Sequence, residues 1–156
     1  MSDLRQEVAA VLEGGSAHAG LEKGLQGVPP ALLGKRVTGS AHTLWQLAEH
    51  IRIAQWDILE FSRDPAHVSP AWPEGYWPQT PAPPSVSAWA RCRKSIREDL
   101  AAMVALVRDP SRDLLAPLPH APDKCLLREA LLVADHNAYH LGQFIGLRQR
   151  LGAWRG

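Results

Sequence analysis

The chain has 156 residues, of which 46% are hydrophobic and 21% charged, with a formal net charge of +1. This length fits a single domain, 1–156, and a balanced charge without a Lys/Arg cluster argues against nucleic-acid binding. We expect no membrane association, because no apolar run reaches the roughly 18 residues of a membrane span. The N-terminus has neither the basic start nor the apolar core of a signal peptide, so we expect a cytoplasmic protein. Cys92 and Cys125 form no CxxC motif and are expected to be reduced thiols.

Four stretches of the chain are predicted to be helical. Their approximate spans are 4–26, 40–62, 85 or 87 to 108, and 124–151. Gly14-Gly15 predicts a break or kink in the first helix, and Ser40 is a plausible N-cap of the second. No strand alternation or internal repeat is evident. The fold class is therefore predicted to be all-α, with a four-helix bundle as its architecture.

A long loop rich in proline and tryptophan, 63–84, separates the second and third predicted helices. Prolines prevent a helix there and favour tight turns. A loop of this length inside a compact domain is usually functional or lies across a surface that it covers. Its three aromatic rings, Trp72, Tyr76 and Trp77, favour a covering role.

The most informative pair of residues is His136 and His140, in the fourth predicted helix. Residues four apart project from one helical face, with their Cβ atoms about 6 Å apart. Two neutral imidazoles that converge in apolar surroundings are half of a common transition-metal site. The alternative is a pair of core histidines that are hydrogen-bonded to their neighbours.

A metal site requires a further donor from another helix. The apolar stripe of the second predicted helix consists of Leu44, Leu47, Ile51, Ala54, Ile58 and Phe61. His50 lies at the border of this stripe, whereas His42 points to nearly the opposite face. His67 and His120 lie in proline-flanked loops, where we expect them to be solvated. His18 stays open as a fourth ligand, a pocket residue or a partly exposed helical histidine.

The predicted metal site is therefore the triad His50, His136 and His140, with open coordination positions. Open positions are typical of catalytic sites, because structural zinc is normally closed by four protein ligands. Three nitrogens suit Zn, Ni, Co or Fe(II), with zinc or nickel as the leading candidates. Glu129 and Asp57 are too far along their helices to be ligands, and we expect them to be solvated or salt-bridged carboxylates. The catalytic residues are not identified by the sequence.

Two tryptophans, Trp45 and Trp56, are predicted on the face of the second helix opposite its apolar stripe. Exposed tryptophan pairs are unusual unless something covers them. We therefore expect them to be covered by the tryptophan-rich loop or by the partner subunit of a homodimer.

Three segments carry a family resemblance. They are Ala41 to Gln55, Trp72 to Pro78, and Leu127 to Gln143, the last with the sequence Asp-His-Asn-Ala-Tyr-His at 135–140. Together they resemble the DinB-like (DinB/YfiT) superfamily, and the spacing of His50 to the later histidine pair is the specific part. The resemblance implies a four-helix bundle in which His50, His136 and His140 hold a divalent metal, and it implies a dimer. Characterised relatives include S-transferases and isomerases that use small thiols such as mycothiol, bacillithiol or glutathione.

The leading hypothesis is an enzyme whose metal activates a thiol or water for transfer to, or hydrolysis of, a small substrate. Its cofactors would be a divalent transition metal and, for the transferase chemistry, a low-molecular-weight thiol cosubstrate. The alternative is a non-catalytic metal-binding or stress-response bundle that acts through protein–protein contacts. A third hypothesis is a structural bundle with hydrogen-bonded core histidines and no metal.

Overall fold

The structure is a computed structural model that describes residues 3–155. Within these residues the fold is mostly helical, with five α-helices and one small antiparallel sheet. The elements in chain order are α1 (Leu4–Glu13), α2 (Leu21–Leu25), α3 (Leu44–Arg63), α4 (Val86–Arg108), β1 (Pro117–Leu118), β2 (Ala121–Cys125) and α5 (Leu126–Arg150). The helical class is as predicted, while the sheet was not expected. None of the helices in residues 3–155 combines the length and apolarity needed to cross a bilayer.

The first predicted helix is divided at Gly14-Gly15, where a break or kink was predicted. Gly14 and Gly15 have φ values of 71° and 90°, in the left-handed region that side chains rarely adopt, and they end α1. The chain becomes helical again in the short α2, which packs on α5. Gly24 permits this close approach, since a Cβ there would overlap the side chain of Leu141.

Helix α3 begins at Leu44, later than predicted, because Thr43 rather than Ser40 caps it. The Thr43 hydroxyl accepts the backbone N–H of Gln46 at 3.2 Å, and the Gln46 side chain accepts the backbone N–H of Thr43 at 3.1 Å. This reciprocal capping box satisfies two backbone donors of the first turn. Residues 40–42 therefore lie outside the helix, and the helical angle assigned to His42 does not apply to it.

Helix α3 lies at the centre of the fold, in extensive contact with α4 and α5. One apolar cluster includes Leu47, Ile51, Trp89 and Phe144, and a second joins α1 to α4 and α5. A buried polar chain also joins the three long helices: Gln55 donates to the Ile96 carbonyl at 2.7 Å and accepts from Asn137 at 2.7 Å. This chain fixes α3 against α5 directly beside the predicted metal ligands.

The prediction that Trp45 lies on a face of the helix outside the core is wrong. Trp45 is 5% exposed and belongs to the apolar cluster around Ile51. Its face of α3 is buried because α3 is surrounded on more than one side, which a single apolar stripe does not reveal. Trp56 is half-buried, and the His67 ring of the 64–85 loop packs on it edge-on at 5.2 Å. The loop thus covers Trp56, one of the two outcomes expected.

Candidate metal centre

The structure brings His50 of α3 together with His136 and His140 of α5. The Nε2 atom of His50 lies 3.0 Å from Nε2 of His136 and 3.1 Å from Nε2 of His140. His50 and His140 are 2% and 9% exposed, and His136 is half-buried. We call these three residues the histidine cluster. Their side chains could hold a metal ion, since one ligand atom from each lies within 4.8 Å of the others.

Hydrogen bonds on the far side of two rings set which nitrogens carry protons. Nδ1 of His50 lies 2.8 Å from the backbone carbonyl of Tyr76. A carbonyl only accepts, so this nitrogen donates and Nε2 of the neutral ring bears a lone pair. Nδ1 of His140 lies 2.8 Å from the Gln143 Oε1 atom, which assigns the same tautomer to His140. Two lone pairs therefore face each other at 3.1 Å.

Protonation does not relieve this repulsion at neutral pH. Burial, with the nearby His140 and His42 rings adding to it, lowers the pKa of His50 to about 4. Burial and the two neighbouring imidazoles likewise lower the pKa of His136 to about 4, and burial lowers the pKa of His140. The cluster is therefore a set of neutral, electron-donating nitrogens at pH 7.

The geometry of the cluster fits a single ion. Zinc-to-imidazole bonds of about 2.0–2.1 Å place adjacent ligand nitrogens roughly 2.9 Å apart at right angles and roughly 3.4 Å apart in a tetrahedron. The separations of 3.0 and 3.1 Å lie within this range. A cation would accept the lone pairs that now oppose each other. Neutral imidazole donors suit zinc, nickel, copper and iron.

The loop between α3 and α4 covers one side of the cluster through Trp77. The indole stacks on His50 with centroids 3.8 Å apart and planes 2° from parallel. Its other face stacks on His42 at 3.9 Å and 12°. The helical angle of His42 had predicted that it points away from the site. Instead, only the Trp77 ring lies between His42 and His50 of the cluster.

A buried carboxylate holds this loop in place. Asp57 is 7% exposed and accepts hydrogen bonds from the Tyr76 hydroxyl at 2.6 Å and from His67 Nε2 at 2.7 Å. Burial and the Asp57 carboxylate raise the pKa of Tyr76 to about 12, so its hydroxyl remains a donor. Since the Tyr76 carbonyl accepts from His50, Asp57 acts on the cluster through the backbone of residue 76.

The predictions that His67 and His120 are solvated are wrong. His67 is not solvated, because Asp57 and Trp56 enclose it. His120 is half-buried and donates from Nε2 to the Phe61 carbonyl at 2.8 Å. Both loops pack back onto α3, which their proline content did not show.

The remaining candidates lie apart from the cluster. His18 is exposed and lines a separate cavity of about 380 Å³ between α1 and α5, so it is not among the grouped donors. Glu129 is buried and paired with Arg128, which is the salt-bridged alternative predicted for it.

Sequence reasoning missed the roles of Tyr76 and Trp77 at the cluster. Helical periodicity relates residues within one helix, but it does not place a loop residue against a helix. The aromatic content of the loop was the one signal available, and it indicated covering without naming what is covered. Gln143 lay in the same angular sector as the histidine pair, so its contact with His140 could have been found from the spacing.

The lowered pKa values predict a pH-dependent stability of the metal-free protein. Histidines that titrate near 6.5 when unfolded but near 4 when folded bind protons more readily in the unfolded state. Stability should be greatest above pH 6.5 and fall as the pH is lowered toward 4. Urea midpoints in EDTA at pH 7.0, 5.5 and 4.5 measure this loss, which should be smaller in His136→Gln. The matched variant His18→Gln should keep the wild-type dependence, and the same loss in all three proteins would contradict the assignment.

The Asp57 contact predicts a specific cost for one hydroxyl group. Tyr76→Phe keeps the ring and the backbone carbonyl but leaves a buried carboxylate with one donor fewer. We expect a loss of about 1–3 kcal/mol in the free energy of unfolding. Tyr139→Phe is the matched control, because Tyr139 is 64% exposed, and we expect it to cost less than about 0.5 kcal/mol. Equal urea midpoints for the two variants would show that the hydroxyl does not anchor the loop.

Comparisons with known proteins agree with the resemblance noted in the sequence. Neither the curated proteins nor the solved structures that were searched gave a match. A protein-family model described as the DinB superfamily matches residues 15–144, a range that includes all three histidines of the cluster. Since this match covers well over half of the 156 residues, the chain belongs to the DinB superfamily.

Proposed function

We propose that the chain binds one divalent transition metal through His50, His136 and His140 and is an enzyme that acts on a small molecule. The reaction class we infer is activation of a thiol or a water for transfer or hydrolysis. The observation that carries the proposal is the convergence of three imidazole Nε2 atoms, two of them 3.0 and 3.1 Å from the third. Three protein ligands leave positions open for exchangeable groups, as in catalytic zinc sites.

A bound ion would supply Lewis acidity and lower the pKa of a coordinated water or thiol. The residues of the chain prepare the site for it. Tyr76 and Gln143 hold the His50 and His140 rings with Nε2 directed into the cluster. Trp77 stacks on His50 and excludes water from that side. Tyr139, which is exposed and contacts the His140 ring edge-on at 4.9 Å, marks the accessible side.

The finer expectations belong to the same proposal. Zinc and nickel suit an all-imidazole donor set, and a low-molecular-weight thiol is the cosubstrate that the family resemblance suggests. We propose one domain over 1–156 in which α1 and α2 together take the place of one helix of a four-helix bundle. We propose a cytoplasmic protein that acts on small molecules and not on nucleic acid or membranes, in keeping with its balanced charge.

A second candidate function is a metal-binding bundle that acts through protein–protein contacts. It is favoured by exposed aromatic rings near the cluster, with Trp72 71% and Tyr139 64% exposed. Exposed aromatic residues are enriched at protein interfaces. The same surface could serve the homodimer that we propose, now that Trp45 is known to be buried.

Metal content tests the proposal. Tag-free protein reconstituted with zinc or nickel and then desalted should retain about one equivalent by elemental analysis. His136→Ala should lose it while keeping the helical circular-dichroism signal, because the apolar clusters do not include this residue. His18→Ala is the matched control and should retain the metal. No retained metal in the wild type, or equal loss from both variants, would overturn the ligand set.

A further inference from the structure

A cleft of about 480 Å³ lies between the chain that leads into α3 and the C-terminal half of α5, and Gln143, the partner of His140, is in its wall. Its volume is within the range of small-molecule sites, roughly 300–1,000 Å³. Residues of both sides contribute to its wall, among them Ser40, His42, Gln143, Gly146 and Arg150.

Two residues of the cleft wall contact residues of the cluster or its cover. His42 stacks on the Trp77 ring whose opposite face stacks on His50. Gln143 accepts the hydrogen bond from Nδ1 of His140. A molecule in the cleft would therefore contact Gln143, the hydrogen-bond partner of His140, and would be separated from His50 by the His42 and Trp77 rings.

The charge of the cleft is one-sided. Arg150 is the single charged residue among those that line it, and no carboxylate is present in its wall. One guanidinium nitrogen of Arg150 donates to the Thr38 carbonyl at the rim, and none of the ion pairs found within residues 3–155 involves this side chain. Guanidinium has five N–H donors, so several stay available for an anion.

The helix sets the distance between the two ends of such a ligand. Arg150 follows His140 by ten residues, which corresponds to about 15 Å along α5. Helical side chains lean toward the helix N-terminus, which is the direction of His140 from Arg150. A molecule with an anionic group roughly 10 Å from its reactive group would span both.

We propose that this cleft binds the anionic end of the small substrate or cosubstrate, with Arg150 as its counter-ion. The inference rests on the proposed function, since the reactive end of the molecule would lie at the histidine cluster. It adds the substrate class, a molecule with an anionic group at the end away from its reactive group, and the wall that recognises this group.

Two glycines of α5 provide matched variants. A Cβ built on Gly142 or on Gly146 meets no atom within 4 Å, so a side chain fits at either position. Gly146 lines the cleft and Gly142 does not. Gly146→Leu should therefore fill the cleft, whereas Gly142→Leu places the same side chain on the same helix outside it.

The test is calorimetric titration of the zinc-reconstituted protein with S-methylglutathione, whose carboxylates are free but whose sulfur is blocked. We expect binding at least tenfold tighter than that of its dimethyl ester. Arg150→Gln and Gly146→Leu should each weaken binding at least tenfold, and Gly142→Leu should leave it within twofold. If Gly146→Leu does not fold, the affinity of Arg150→Gln alone tests whether the probe binds in the cleft.

The metal-free His136→Ala variant separates the two proposals. Because the probe carries no free thiol, its binding should persist in this variant even if the ligand set is wrong. Four results would each overturn the cleft assignment. The acid and its ester could bind equally well, or the wild type could bind neither. Alternatively, Gly142→Leu and Gly146→Leu could weaken binding equally, or Arg150→Gln could bind with unchanged affinity.

Discussion

The hydrogen bond from His50 Nδ1 to the carbonyl of Tyr76 is the constraint on which the site depends. It assigns the proton of a buried imidazole to the side away from the cluster, so the Nε2 lone pair faces His136 and His140. It also fixes the loop between α3 and α4 to the centre of α3, which places Trp77 on the His50 ring. A side-chain acceptor could rotate or titrate, but a backbone carbonyl held by Asp57 through the Tyr76 side chain does neither.

Support for the cluster comes from several layers of the fold. The Thr43 capping box fixes the start of α3, and the Gln55–Asn137 hydrogen bond fixes the position of α3 relative to α5. Metal sites need ligands whose orientation is set by surrounding contacts. In this protein these contacts are formed by the chain itself, without a bound metal. The cluster is thus built by residues that have no direct role in holding an ion.

The sequence predicts much of this arrangement because most of it is periodic. The three long helices, the His136/His140 pair and the place of His50 at the border of the apolar stripe all follow from positions on a 3.6-residue repeat. The predictions that are wrong concern chain segments outside that repeat. A cap at Thr43 removed His42 from the helix, and after the predicted break at Gly14-Gly15 the chain becomes helical again only at Leu21. The loop contacts of His67, Tyr76 and Trp77 are tertiary, and composition alone does not give their partners. Trp45 is buried because several elements pack around α3. The apolar stripe of one helix predicts only one buried face, so it does not predict this.

The cluster and the adjoining cleft give the site two chemically different halves. One half offers neutral nitrogens in a buried, aromatic setting, and the other offers a cation and amides at a cleft open to solvent. Such a division suits a molecule with a soft or polarisable reactive group and a charged end.

The most direct test of this account is the protonation state of the three imidazoles when zinc is bound. A long-range ¹H–¹⁵N correlation spectrum of ¹⁵N-labelled protein with one equivalent of Zn²⁺ reports it. The account predicts that His50, His136 and His140 all carry their proton on Nδ1 and that all three Nε2 shifts move to values typical of metal-bound nitrogen. A proton that remains on Nε2 of any of the three, or signals that zinc leaves unchanged, would contradict it.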